Sequence, residues 1–352
     1  MSAVQAEEAP ATNPAPPPAE KGKPTVHKTD YEKDVVYLYQ FTRCPTLPSA
    51  SPFCLKVETW LRMTEVKYEN VDHKMKYKSK KGQLPFVEVN GVEIADSDII
   101  IKELSQIFGT DLDENLTLDQ RNVSHAFVSM LNNHTSWVMR WWRYSHPGEF
   151  LKSAQMDIKR TLNSKLPKGL LQFFFKLGFK SNIKRAIGHG VGRHNSDEIY
   201  EFGKKDLKAL SEYLAEKPYF FGDEPHLLDC VAFAHLCQFV YVPFGGMKEY
   251  LESDCTNLLS FVERMKERYW PDWDEMCKTL ELNTHLPKKV EEPAKEENNK
   301  VTEKKEGKEA EEAANEKNEK EDKQEKTDEK IEAKEEEEKS EKPKEENNEA
   351  KE

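Results

Sequence analysis

The sequence predicts a small α/β domain followed by a larger all-helical domain, with an arm of different composition at each end. Three observations support this prediction. Short β-branched and aromatic runs alternate with amphipathic stretches before residue 110, only helical periodicity follows Leu118, and neither end of the chain has apolar periodicity. We place the boundaries at residues 1–30, 31–110, 115–286 and 287–352.

The two arms differ from the rest of the chain in composition. From Lys288 to the C-terminus there are 17 Lys and 26 Asp or Glu residues and no aromatic residue, so this tail carries a net −9 of the chain's formal net charge of −12. Such a segment has too little apolar surface to offset the entropy of ordering, and we predict that it is disordered. Residues 1–30 contain six prolines and are predicted to be an extended, disordered arm.

Several classes of protein are excluded by what the sequence lacks. No apolar run reaches the roughly 18 residues of a membrane span, and the N-terminus has no apolar core of a signal peptide. The six cysteines show no C-x-x-C spacing, so we expect reduced thiols and a cytoplasmic protein, with Cys44 the more exposed thiol. The acidic balance and the lack of a recognition motif predict no nucleic-acid partner. No His or Cys spacing predicts a metal site.

The α/β part begins with a strand at Val35–Tyr39, which is β-branched and aromatic. After a proline-rich loop, Ser51 and Pro52 are typical of a helix start. The apolar stripe of that helix is formed by Phe53, Val57, Trp60 and Leu61. Tyr68–Val71 is predicted to be a second strand.

A hairpin and a second helix complete this part. Phe86–Val89 and Val92–Ile94 flank an Asn-Gly pair, which suits the positive φ angles of a type I′ turn. Asp96 and Ser97 follow and are expected to cap the next helix.

After Leu118 the pattern is helical only. Eight side chains from Ala126 to Trp141 are predicted to line a single helix face. Asn195 with Glu198 indicates a capping box after a glycine-rich break. Further helices are predicted from about Leu228 to Val240 and around Leu258–Met265.

Together these motifs resemble the glutathione transferase superfamily. Ser51–Cys54, Gly82–Val87 and Asp96-Ser97 are similar to its thioredoxin-like first domain, and Gly222–Asp229 is similar to its helical second domain. More narrowly, the chain resembles the failed axon connections family, relatives of the metaxins. That resemblance is carried by Ser51–Arg62, Ser124–Phe127 and Gly190–His194. It implies a role in axon development and no established catalytic activity.

The resemblance also implies a glutathione-type site. Pro85 would follow a cis peptide bond and leave the backbone of Leu84 free to pair with glutathione, the alternative being an ordinary trans proline. Asp96 and Ser97 would hold the γ-glutamyl end, the alternative being a plain helix cap. Ser51 would activate the sulfur as the catalytic residue, the alternative again being an N-cap.

Two features depart from the superfamily pattern. His226 stands where a Ser or Thr usually caps the buried helix, although Asp229 is kept, so we expect an altered structural cap. The loop from Phe41 to Ser51 is long, and we expect it to cover or displace the place of glutathione.

Two basic segments remain open to more than one interpretation. Leu170–Phe179 is aromatic and flanked by lysines, which suits either a membrane interface or a helix packed between domains. Five lysines between Lys74 and Lys81 suit either a solvated loop or an anion-binding surface.

The sequence thus favours an interaction or adaptor protein of axon development (axonogenesis), with weak or no catalysis, built on a transferase scaffold. The alternatives are a glutathione transferase that conjugates or reduces small electrophiles through Ser51, and a metaxin-like membrane docking protein. We expect protein partners in neuronal signalling, glutathione as a candidate ligand or cofactor, weak membrane association, and a homodimer as the assembly common in the superfamily. The expected location is cytoplasmic and axonal, with some protein at membranes.

Overall fold

A four-stranded mixed sheet in the order β2-β1-β3-β4 forms the first part of the protein in a computed structural model, which describes residues 26–287. Strand β1 pairs with β2 in parallel and with β3 antiparallel, and β3 pairs with β4 through the predicted hairpin. Asn90 and Gly91 both have positive φ, as a type I′ turn requires. The strands are β1 Val36–Tyr39, β2 Tyr68–Asn70, β3 Phe86–Val89 and β4 Val92–Ala95.

Two helices, α1 (Pro52–Met63) and α2 (Ser97–Phe108), belong to this part and share a core with the sheet. Alternation along β1 directs Val36 and Leu38 into that core, whereas Tyr37 and Tyr39 belong to a separate cluster. Helix α1 is buried on nearly all sides because α10 (Leu227–Tyr241), a long helix of the second part, packs on it.

The second part is entirely helical, as predicted. Helix α10 is buried along most of its length and lies at the centre of the main core. The helices are α3 Leu118–Met130, α4 Ser136–Ser145, α5 Pro147–Ser153, α6 Ile158–Thr161, α7 Lys168–Ser181, α8 Ile183–His189, α9 Ser196–Leu214, α10 Leu227–Tyr241, α11 Met247–Asp254, α12 Thr256–Tyr269 and α13 Trp273–Thr279.

The expected helix face from Ala126 to Trp141 is confirmed for six of its eight side chains, which lie in the main core or pack against it, but it is not one continuous α-helix. A π-helical segment, Leu131–Thr135, separates α3 from α4, and Ala126 is exposed while Val138 is buried. The Thr135 hydroxyl donates to Asp206 at 2.6 Å, a bond that helps to hold this segment. A hydrophobic pattern alone does not reveal such an insertion.

The two predicted domains pack closely. Residues 26–287 lie within one compact unit, and the division into 31–110 and 115–286 stays a prediction, consistent with the gap between α2 and α3. The tail 287–352 beyond Pro287 and the arm 1–30 before Val26 lie outside the described residues. In the described part of the chain, no helix has the length and apolar character needed to cross a bilayer.

Candidate functional site

The sheet register brings the predicted site segments to one edge. Tyr39, Phe86 and Ala95 lie side by side, since Tyr39 pairs with Phe86 and Phe86 with Ala95. Pro85 therefore precedes, and Asp96 follows, the same row of residues at which β1 ends. This row crosses the sheet at the ends of the strands, and the term edge is used below for this end of the sheet, where the predicted site residues lie.

Helix α1 begins at the same edge. The thiol of Cys54, one turn into the helix, lies near the backbone of Phe41, which is two residues after the end of β1. Ser51 is the N-cap, and its Oγ accepts from the Cys54 N–H at 3.3 Å. Burial raises the pKa of the Cys54 thiol to about 11, and the nearby Ser51 hydroxyl partly opposes this rise. The Ser51 oxygen thus caps its own helix.

Two residues that the sequence analysis missed hold the loop before Ser51. Arg143 donates to the carbonyl of Ala50 and to Gln238 Oε1, the latter at 2.9 Å. Gln238 in turn donates to the carbonyl of Ser49 at 3.1 Å. Burial lowers the pKa of Arg143 to about 9. Both side chains are buried polar groups within helices, and sequence periodicity gives no signal that would find them.

The Leu84–Pro85 peptide bond is cis, as the resemblance implied. Leu84 is half-buried and Pro85 buried. Asp96 has a φ of 88° and caps α2, accepting from the N–H of Asp98 at 3.1 Å. Asp96 is exposed and Ser97 is buried. A role of these four residues in holding glutathione stays a prediction.

A charged contact joins the first turns of α1 and α2. The buried ammonium of Lys56 donates to Asp98 at 2.7 Å, and Asn132 of the π segment donates to the same carboxylate at 3.2 Å. Lys56 reads as a surface residue in the sequence. It is buried here because α10 covers the side of α1 that would otherwise face solvent.

An unpaired guanidinium lies beside the start of α1. The Arg140 guanidinium carbon lies 4.8 Å from the centre of the Phe53 ring and 4.9 Å from that of Trp137. Burial lowers the pKa of Arg140, and the charge of Arg185 adds to this effect. Within residues 26–287 Arg140 has no acidic partner at ion-pair distance. The Phe53 side of the site is therefore electropositive.

A buried ion pair supports the base of α1. Arg43 donates to both Glu58 oxygens, at 2.6 and 2.7 Å, and its second terminal nitrogen also reaches the carbonyl of Leu282. Burial opposes ionisation of Glu58, but Arg43 outweighs it and lowers the pKa of that carboxyl to about 2. The loop that leads from β1 to Ser51 is therefore held at Arg43 as well as at Ala50.

The loop is more deeply buried than its proline content suggests. Cys44 was expected to be the more exposed thiol, and this is wrong: it is buried, and burial raises the pKa of its thiol to about 11. Ser49 and Leu47 are also buried. The reason is that the loop packs beneath the helical part and does not extend over the surface.

The cap at the start of α10, which the sequence predicts to be altered, retains the hydrogen bonds of Asp229. Asp229 accepts from the N–H of His226 at 2.8 Å and from that of Phe220 at 2.9 Å. The His226 ring leaves its buried Nδ1 without a hydrogen-bond partner among the described residues. The carboxylate half of the cap is thus present, and a structural role for His226 stays a prediction.

One group has the composition of a metal site. His27, Glu88 and Glu93 offer ligand atoms within 4.8 Å of one another. The Glu88 carboxylate, however, already accepts from the N–H groups of His27 and Lys28, at 2.7 and 2.9 Å, and from the Tyr39 hydroxyl at 2.8 Å. These three bonds account for the burial of the Glu88 carboxylate, which anchors the segment around His27.

Two of the cavities formed by the described residues border the loop between Phe41 and Ser51. One of about 510 Å³ is bordered by Arg43, Asn70 and Asn283, and one of about 630 Å³ by Trp142 and Tyr241.

The fold and the edge just described define a glutathione-transferase-like protein. Residues 52–148 match the family model of the glutathione S-transferase N-terminal domain, and residues 203–265 match that of the glutathione S-transferase C-terminal domain. The chain is 53% identical, over 79% of its length and 68% of the relative's, to "Failed axon connections" of Drosophila melanogaster. It belongs to the failed axon connections family.

Other relatives are more distant. The chain is 25% identical to the isoprene-epoxide–glutathione S-transferase of Rhodococcus sp. (strain AD45), over 67% of this chain and 99% of that protein. It is also 25% identical to metaxin-2 of Mus musculus, over 62% of this chain and 82% of that protein, which confirms the relation to metaxins. A solved structure, the beta-etherase LigF of Sphingobium sp. strain SYK-6, is 16% identical over 69% of this chain and 99% of that one, with a TM-score of 0.47.

Proposed function

We propose that this protein is an interaction or adaptor protein of axon development that uses a glutathione-transferase scaffold with little or no catalysis. The observation that carries the proposal is the 53% identity to "Failed axon connections" over 79% of the chain. Its partners are proteins of neuronal signalling, and its location is cytoplasmic and axonal. Assembly as a homodimer belongs to the same proposal.

The state of Ser51 supports weak catalysis. A hydroxyl that activates glutathione must donate to the sulfur and so lower the pKa of the glutathione thiol. Each pKa unit of that change corresponds to about 1.4 kcal/mol. Here the Ser51 oxygen accepts from the Cys54 N–H, so the hydroxyl already serves its own helix as the N-cap.

A second candidate is a glutathione transferase that conjugates or reduces small electrophiles. It is favoured by the match to the isoprene-epoxide–glutathione S-transferase, which spans 99% of that protein. In this alternative, glutathione pairs with the backbone of Leu84, its γ-glutamyl end meets Asp96 and Ser97, and Ser51 donates to its sulfur. The electropositive side at Arg140 would favour the thiolate.

A matched pair of variants separates the two functions. Ser51→Ala removes both the hydroxyl and the helix cap, whereas Ser51→Asp keeps a capping oxygen for the Cys54 N–H but has no proton to donate. Glutathione binding is measured by calorimetry, and conjugation is measured with a standard electrophile and a genuine transferase as positive control. We expect no binding and no rate above background for all three proteins.

The same variants test the developmental role. Drosophila melanogaster embryos that lack the relative are scored for axon connections with and without this chain. We expect wild type and Ser51→Asp to restore connections equally. A glutathione-dependent rate that Ser51→Asp abolishes, together with failed rescue by that variant, would establish the enzyme and reject the adaptor.

A further inference from the structure

One side of α7 leaves large apolar side chains in solvent. Phe173, Phe174 and Leu177 are 60%, 55% and 60% exposed, and Leu170 is 43% exposed. Their spacing is that of one helix face. The opposite side of the helix is anchored, since Leu171 is buried in a small cluster beneath it. The exposed face is therefore held in a fixed orientation toward solvent.

The surrounding chain carries only positive charge. Between Asp157 and Asp197 there is no acidic residue, although the whole chain has a net charge of −12. The segment contains nine basic side chains, all exposed, and within residues 26–287 none of them forms an ion pair. They are Lys159, Arg160, Lys165, Lys168, Lys176, Lys180, Lys184, Arg185 and Arg193.

We propose that this basic-aromatic face, formed by the four exposed apolar residues of α7 and by Lys176 and Lys180, which lie three residues after Phe173 and Leu177, binds the surface of a membrane that contains anionic lipids. Helix α7 lies in the plane of the headgroups, with Phe173, Phe174 and Leu177 inserted at the boundary of the acyl chains. Both lysines bind the negative headgroups. The apolar stems of Lys176 and Lys180 follow the inserted side chains while their ammonium groups stay in water.

A lipid surface fits this face better than two other occupants. A second copy of the chain would bring like charges together, because no acidic residue lies in the segment. The chain's own tail, residues 288–352, has the opposite charge but no aromatic and few aliphatic side chains. It would neutralise the lysines and leave the apolar stripe in water. Of these three occupants, the anionic bilayer is the one that complements both the charge and the apolar character.

Vesicle sedimentation of the full-length protein tests the proposal. Vesicles of phosphatidylcholine alone are compared with vesicles that also contain phosphatidylserine, at low and at physiological salt. We expect sedimentation with the anionic vesicles only, weakened by salt. Joint substitution of Phe173, Phe174 and Leu177 by Ser should lower the partition coefficient at least ~tenfold. Lys176→Glu with Lys180→Glu should lower it ~tenfold as well.

Matched surface variants control for general effects. Leu118→Ser removes an apolar side chain that is 74% exposed elsewhere, and Lys208→Glu reverses a charge on α9; both should sediment like wild type. Circular dichroism checks that every variant is folded. Failure of wild type to sediment, equal sedimentation with neutral vesicles, or no effect of the face variants would overturn the proposal. So would binding of soluble polyglutamate, but not of vesicles, by this face, because it would assign the face to an acidic protein.

Discussion

Replacing Glu58 by Gln should strongly destabilise the protein, because it leaves the buried charge of Arg43 without its carboxylate. The two side chains are completely buried and joined by bonds of 2.6 and 2.7 Å. Removing one partner of such a pair typically costs about 3–5 kcal/mol. The pKa gives a second route to the magnitude: a fall from 4.5 to about 2 corresponds to about 3 kcal/mol. Both figures are a large part of an ordinary free energy of unfolding of about 5–15 kcal/mol.

Urea unfolding followed by tryptophan fluorescence measures this loss. The control is Glu212→Gln in the exposed pair with Lys208, 3.7 Å apart, which should cost less than about 1 kcal/mol. The pKa of Glu58 is lowered on folding, so its contribution is present above pH 4.5 and is lost as the pH falls toward 2. The difference between wild type and Glu58→Gln should shrink over that window. Equal costs for the two variants, or a difference that does not change with pH, would refute this reasoning.

Three further outcomes are expected. Gly192→Ala places a Cβ 2.7 Å from the backbone of Ala186 and should lower the free energy of unfolding, measured in urea, by about 1–3 kcal/mol. The control Gly188→Ala places its Cβ in open space and should not be destabilising. Similar costs for the two variants would contradict this expectation. Asp229→Ala leaves the buried N–H of Phe220 and the half-buried N–H of His226 unpaired and should cost about 2 kcal/mol by the same measurement; a neutral effect would contradict it. A thiol reagent at neutral pH should rapidly label at most Cys277 in the native protein and all six cysteines in urea. Rapid labelling of a second cysteine in the native protein would contradict the burial of the other five.

The elements with short-range signals could be predicted from the sequence. The Asn-Gly hairpin, the start of α1 at Pro52 and the capping box at Asn195 each depend on residues within a few positions of one another, and all three are confirmed. The fold class followed from these local signals together with the family resemblance, and it is confirmed as well. Local chemistry is sufficient where the partners of a residue are its neighbours in the chain.

The support of the site could not be predicted, because its partners are distant in sequence. Arg143 meets Gln238 across 95 residues, and Arg43 meets the carbonyl of Leu282 across 239. Lys56 has the sequence appearance of a solvated position on an amphipathic helix. Its burial depends on α10, which lies more than 170 residues further along the chain. Periodicity describes one face of one helix and gives no information about what packs on the other face.

The loop between Phe41 and Ser51 decides how the site is to be understood, because two buried arginines fix it in different ways. Arg43 is neutralised by Glu58, whereas Arg143 keeps its charge against the carbonyl of Ala50 and an amide oxygen, without a carboxylate. A loop held at both places, with its central side chains buried, has little freedom to move aside for a ligand. The shape of the site at Ser51 is then a property of the folded backbone. A failure to bind glutathione would therefore reflect that shape and not the lack of a conformational change in the loop.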